Sequence, residues 1–230
     1  MRSIKQASGA GNVRYRVRIS RCGEARHLTH LAQIEALRRA VAASGLPGVV
    51  DRRKKRPKPR LAFGPAISMG YESRAEYFDL ELETAVTPEE VTGALASVLS
   101  GGFTVIGVRR IPKFFPSLDA SINVVRYEIR GEFPRDSADR LASLLARREI
   151  VIEKVKKGGA RVERVDARPL IREMVLASPG HVTLTLRFGP KRTVKPEALL
   201  REWLGGLPGE LHIMRQDLFS ETSGGELISP

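Results

Sequence analysis

"VRYRVRISR", residues 13–21, alternates strictly: Val13, Tyr15, Val17 and Ile19 fall on one side of an extended chain, Arg14, Arg16 and Arg18 on the other. A period of two marks a half-buried strand, here with an arginine-lined outer face. Residues 30–44 carry Leu31, Ile34, Leu37 and Val41 at helical spacing with Arg38 and Arg39 turned away, and Gly45 and Pro47 stop the segment. "AEYFDLELE", residues 75–83, alternates again, with Phe78, Leu80 and Leu82 opposite Tyr77, Asp79, Glu81 and Glu83. Thr87, Pro88, Glu89 and Glu90 open a second helix that runs through Leu99. A capping hydroxyl, a proline in the first turn and carboxylates at the positive helix end all suit a start there. "SGG" closes that helix and "FTVIGVRRI", residues 103–111, reads as a strand.

The resulting order of strand, helix, strand, strand, helix, strand is the ferredoxin-like pattern. A similar order begins again with "VVRYEIR" at 124–130 and a helix in "DSADRLASLLARR" at 136–148, capped by Asp136 or Ser137. Two extended runs flank Lys156, Lys157, Gly158 and Gly159 as a hairpin, followed by the strand "HVTLTLRF", a helix from Pro196 and the strand "ELHIMRQDLF". The predicted fold is α+β, two tandem ferredoxin-like halves with antiparallel sheets, the second with an extra strand. Residues 1–12 are expected as an N-terminal arm, 13–112 as the first domain, 113–123 as a linker, 124–220 as the second domain and 221–230 as a tail.

The chain has 230 residues and a net charge of +13, and the charge is concentrated. Residues 1–60 hold 16 Lys or Arg against Glu24, Glu35 and Asp51, whereas the remaining 170 residues balance at 23 of each sign. The densest stretch is "DRRKKRPKPR", residues 51–60, with Arg52, Arg53, Lys54, Lys55, Arg56, Lys58 and Arg60. Pro57 and Pro59 favour extended backbone, which presents successive cations to a phosphate chain. Such a concentration attracts a polyanion, and RNA is the expected partner. Phosphate contacts would give affinity and salt dependence but little sequence choice. The expected binding residues are those seven cations together with Arg14, Arg16 and Arg18. The strand lacks the stacking aromatics of an RNA-recognition module, and a solvated or salt-bridged arginine face is the plain alternative.

No apolar run is long enough to span a bilayer, and "MRSIKQASGAGNV" lacks a signal peptide's apolar segment, so a cytoplasmic protein with no membrane contact is expected. Cys22 is the only cysteine, which rules out an internal disulfide or a thiolate cluster. Cys22, His27 and His30 have a spacing that could supply three metal ligands, but one local trio is weak, and no metal or cofactor is expected. His30 is the one candidate general base, for RNA cleavage. In "GYESRAEY", residues 70–77, Ser73 reads as a turn cap and Glu76 as the partner of an arginine such as Arg60. Trp203 falls at helical spacing with Leu199, Leu200 and Leu204 and reads as core. Phosphate loops, dinucleotide fingerprints and nucleophile elbows are missing from the sequence.

The stretches "YRVRISRCGEARHLTHLAQIEALRRAVAASGLP", "PKPRLAFGPAISMGYESRAEYFDLELE" and "HIMRQDLF" resemble the bacterial radical-SAM-linked protein family. That resemblance implies an accessory role beside a separate radical S-adenosylmethionine enzyme. The chain departs from the family at two places. Thr29, His30, Leu31 and Ala32 stand where the family reads Ser-His-Leu-Asp, so the carboxylate of a capping box is missing. Arg53, Lys54, Lys55, Arg56 and Pro57 replace a segment of Ser-Gln-Gly-Phe-Asn-Pro type, exchanging an aromatic and an amide for cations.

The expected function is therefore a non-catalytic, RNA-binding or substrate-presenting accessory protein. The alternatives are a metal-independent endoribonuclease using His30, as fold analogy with CRISPR repeat-processing enzymes suggests, and a module that docks an acidic protein partner.

Overall fold

The computed structural model describes residues 12–51, 57–155, 162–190 and 192–230. It is a mixed α+β protein whose chain divides between Ser121 and Ile122 into two compact units. Arg52 to Arg56 lie outside the described residues.

In the first unit, β1 (Val13–Arg21) is central, paired antiparallel with β5 (Glu72–Leu82) on one side and β6 (Phe103–Ile111) on the other. Between β1 and β5 the chain forms α1 (His30–Ala43), a short ladder of β2 (Val50–Asp51) with β3 (Lys58–Pro59), and β4 (Leu61–Phe63), which pairs with β5. The sheet order is β6-β1-β5-β4, with antiparallel neighbours. Helix α2 (Pro88–Ala96) connects β5 to β6 and begins with a complete capping box between Thr87 and Glu90. Val13, Tyr15, Val17 and Ile19 are buried as their alternation requires, with Phe78, Leu80 and Leu82 of β5 and Leu37 and Val41 of α1. Each such side chain withdrawn from water contributes about 1.5–3 kcal/mol.

Two features differ from the pattern. Helix α1 turns Gln33, Leu37 and Val41 inward and leaves Leu31 74% exposed. On that inward face the Gln33 amide donates to the Glu76 carboxylate at 3.0 Å, and both groups are buried. Arg60, named as a possible partner of Glu76, pairs with Glu81 at 3.1 Å. Ser73, expected as a turn cap, instead lies within β5, where its hydroxyl accepts from the Ala75 amide at 3.0 Å beside a register shift against β1. Second, residues 113–121, expected as linker, belong to the first unit: α3 (Leu118–Ser121) lies there, and Phe115 and Pro116 contact Arg16 of β1.

The second unit runs β7 (Val124–Gly131), α4 (Ser137–Leu145), a hairpin of β8 (Val151–Val155) and β9 (Val162–Asp166), β10 (Ile171–Ser178), β11 (His181–Arg187), α5 (Pro196–Leu204), β12 (Leu211–Glu221) and β13 (Leu227–Ile228). Its sheet order is β10-β11-β7-β12-β13, and these neighbours too are antiparallel. The hairpin β8–β9 forms a two-stranded sheet of its own. Trp203 is buried, and its indole N–H donates to the Ser137 carbonyl, which ties α5 to α4. Residues 221–230, expected as a tail, instead return as β13 along the end of β12.

Candidate functional site

The arginines of β1 have different fates. Arg16 is 1% exposed; its Nε and Nη2 donate to the two carboxylate oxygens of Asp79 at 2.7 and 3.0 Å. Its guanidinium also lies 5.2 Å from the centre of the Phe115 ring. Arg14 reaches the same Asp79 carboxylate and the carbonyl of Phe115 but stays partly exposed. Arg18 donates to the carbonyl of Arg74 at 2.7 Å and lies over the Tyr77 ring. Arg21 is fully buried, with its guanidinium on the carbonyls of Ala25, Arg26 and Leu28, where it holds the single turn of 3-10 helix at Gly23–His27. Arg16 and Arg21 are therefore interior groups. The cationic face expected on β1 reduces to Arg14 and Arg18.

Arg14 lies at the junction of three clefts in the first unit. One, of about 280 Å³, is lined by Arg14, Arg38, Lys58, Arg60, Asp79 and Glu81. The other two share Arg14 and add Asn12, Lys113 and Arg110. The structure thus brings three of the expected residues, Arg14, Lys58 and Arg60, into one place. It adds Arg38, Arg110 and Lys113, which alternation and charge clustering did not single out because they sit far apart in sequence.

The electrostatics favour anions there. Asp79 is consumed by Arg14 and Arg16. Glu81 is engaged by Arg60 across a solvent-exposed gap. Glu35 accepts from Lys58 at 2.9 Å and from Arg38 at 3.2 Å, and the Lys58 hydrogen bond, ahead of that from Arg38, holds its carboxyl below the ordinary glutamate range. The Glu35 and Glu81 pairs, unlike the buried Asp79 pairs, are solvent-exposed and worth little in water, so an anion can compete for Arg38, Lys58 and Arg60 at small cost. The Arg38 guanidinium also lies 5.8 Å from the centre of the Phe63 ring.

The remaining candidates take separate places. His30 is the first residue of α1, behind the Thr29 cap whose hydroxyl accepts from the Ala32 amide; its Nδ1 is buried with no hydrogen-bond partner among the described residues. His27 accepts from Arg26, and the Cys22 thiol lies 3.8 Å from the Ser73 carbonyl. Burial, and secondarily Glu72, push that thiol's pKa upward, which disfavours the thiolate a metal or nucleophile would need. Neither carboxylate nor arginine stands at hydrogen-bond distance from His30 among the described residues to orient it as a base.

No curated protein sequence matches the chain at a significant level. Residues 14–196, most of the chain and every described residue of the three clefts except Asn12 and Val13, match the model of a family described as uncharacterized protein conserved in bacteria (DUF2344), and the chain belongs to that family.

Proposed function

We propose that this protein binds RNA through the cationic clefts of its first unit, and that it does so as a non-catalytic accessory to a separate enzyme. The observation that carries the reading is the convergence on Arg14 of clefts holding Arg38, Lys58, Arg60, Arg110 and Lys113. Several cations around neighbouring clefts offer contacts to more than one phosphate, and each phosphate neutralised releases counterions. The likeness to radical-SAM-linked proteins supports a radical S-adenosylmethionine enzyme as the partner served. A ferredoxin-like organisation of each unit supports the accessory role, because such modules serve as binding platforms. Its support is the helix–strand order together with the arrangements β6-β1-β5-β4 and β12-β7-β11-β10, in which the first and third strands of each unit lie between the fourth and second.

The test is the salt dependence of binding to a labelled RNA, measured for the natural protein and for a Lys58→Ser, Arg60→Ser, Lys113→Ser variant. Loss of three phosphate contacts lowers the slope of log affinity against log salt by about 2–3. Equal slopes for both proteins would overturn the reading.

A further inference from the structure

The second unit carries 19 Lys or Arg against 15 Asp or Glu in its sequence, and its fold sets Arg164, Arg187 and Arg192 around a groove with apolar side chains in its lining. The groove, of about 820 Å³, runs between the β8–β9 hairpin and the turn that follows β11, with Pro169, Leu170 and Phe188 among its lining residues. The turn is closed by reciprocal backbone hydrogen bonds between Gly189 and Arg192, and the Lys154 ammonium of β8 bonds the carbonyl of Thr193, which fastens the hairpin to it.

The carboxylates along the groove are already engaged. Glu221 accepts from Arg187 and Arg172, Asp166 accepts from the amides of Ile150 and Arg168, and Glu163 also has a partner. The exposed Arg192 guanidinium, by contrast, has no partner among the described residues, and exposed Lys195 follows on the same segment. Asn123 is held in place: its carbonyl accepts from the Phe188 amide at 2.8 Å and its side-chain oxygen from the Glu221 amide at 2.7 Å. Its side-chain amino group has no partner among the described residues and stays available as a donor.

We propose that this groove receives an unpaired base of single-stranded RNA. The base lies against half-buried Phe188, Asn123 donates to its edge, and Arg192 contacts the adjoining phosphate. An aromatic surface beside cations is the arrangement that binds single strands, because every base has a face to stack while a duplex hides its bases. The volume lies within the range of pockets that enclose small ligands and admits a nucleotide. This inference rests on the RNA-binding reading above and adds the strandedness of the ligand and a second contact site.

The experiment compares an 8-nucleotide single strand carrying 2-aminopurine with the same sequence as a duplex, using the full chain and its Phe188→Leu and Arg192→Ser variants. Leucine keeps the half-buried apolar contact, and unchanged thermal unfolding checks that each variant is folded. The expected result is tighter binding of the single strand, a 2-aminopurine fluorescence change on binding, a loss of about tenfold with Phe188→Leu and a salt slope reduced by about 0.7 with Arg192→Ser. Equal affinity for both forms, or full affinity and an unchanged 2-aminopurine signal in Phe188→Leu, overturns the groove assignment. If Lys58→Ser, Arg60→Ser, Lys113→Ser still weakens binding in that case, the first-unit reading stands alone. Loss of neither strand's binding in any variant, or no RNA binding at all, removes both. Displacement of the single strand by an acidic peptide with the same Phe188 dependence would instead make the groove a protein-docking site and overturn the assignment.

Discussion

Arg16 and Asp79 face each other across the antiparallel pair of β1 and β5, each almost fully buried, and are joined by two hydrogen bonds at 2.7 and 3.0 Å. Arg14, two residues away on β1, shares the same carboxylate. One acid thus holds two cations on the face of the sheet opposite Val13, Tyr15 and Val17, beneath Phe115 and Pro116.

Removing the shared acid leaves a buried guanidinium uncompensated, the costly way to break an ion pair. Asp79→Ala is expected to destabilise by about 3–5 kcal/mol, and Arg16→Met by less, since Arg14 still neutralises Asp79. Urea unfolding of both variants checks the order. An Asp79→Ala cost no larger than that of Arg16→Met would exclude this account.

Thr87 and Glu90 cap α2 reciprocally, hydroxyl to amide and carboxylate to amide. Thr87→Ala is expected to cost about 1 kcal/mol by thermal or chemical unfolding. The Thr87 backbone amide, and after it the Thr87 hydroxyl, lower the pKa of Glu90, so the variant also brings that carboxyl back toward its ordinary range. A titration of Glu90 by NMR should show the upward movement.

Glu221 carries a pH-dependent part of the second unit's stability. The hydrogen bonds from Arg187, ahead of the charge of Arg172, hold its pKa below the ordinary 4.5. Because the folded value is the lower one, the unfolded chain binds more protons in acid. This contribution is complete above about pH 4.5 and is lost as pH falls through the folded value. Glu221→Gln is therefore expected to flatten the acid side of the stability profile and to lower stability at neutral pH. Profiles that stay parallel down to pH 3 would contradict it.

Gly102 adopts φ +92°, and a Cβ there would lie 2.0 Å from the carbonyl oxygen of Cys22. Its own carbonyl accepts from the Cys22 amide at 2.9 Å, so the two backbones cannot separate without losing that bond. Gly102→Ala is expected to destabilise by about 1–3 kcal/mol, whereas Gly101→Ala, which meets nothing within 4 Å, pays only its backbone strain. Comparison of the two melting temperatures separates steric from conformational cost.

Short-range patterns in the sequence specified the elements. Alternation gave β1 and β5, and Thr87 with Pro88 and the following carboxylates gave α2, because period, caps and turns are consequences of local backbone geometry. Charge counting located the cation-rich quarter of the chain. What it could not show is which cations remain available: Arg16 and Arg21 count toward +13 but serve inside the fold, on a carboxylate 63 residues away and on three carbonyls of the adjoining turn. Nor could it place Arg110 and Lys113 beside Arg14, or gather Asn123, Phe188 and Arg192 around one groove. Nor could spacing show that α1 buries Gln33 against Glu76 beside Leu37 and Val41 while Leu31 stays exposed. The sequence by itself determined where strands and helices form and how much charge each segment carries. Tertiary structure alone decided which charges are neutralised in the interior and which converge at a surface, since strand pairing and loop packing set the distances between residues remote along the chain.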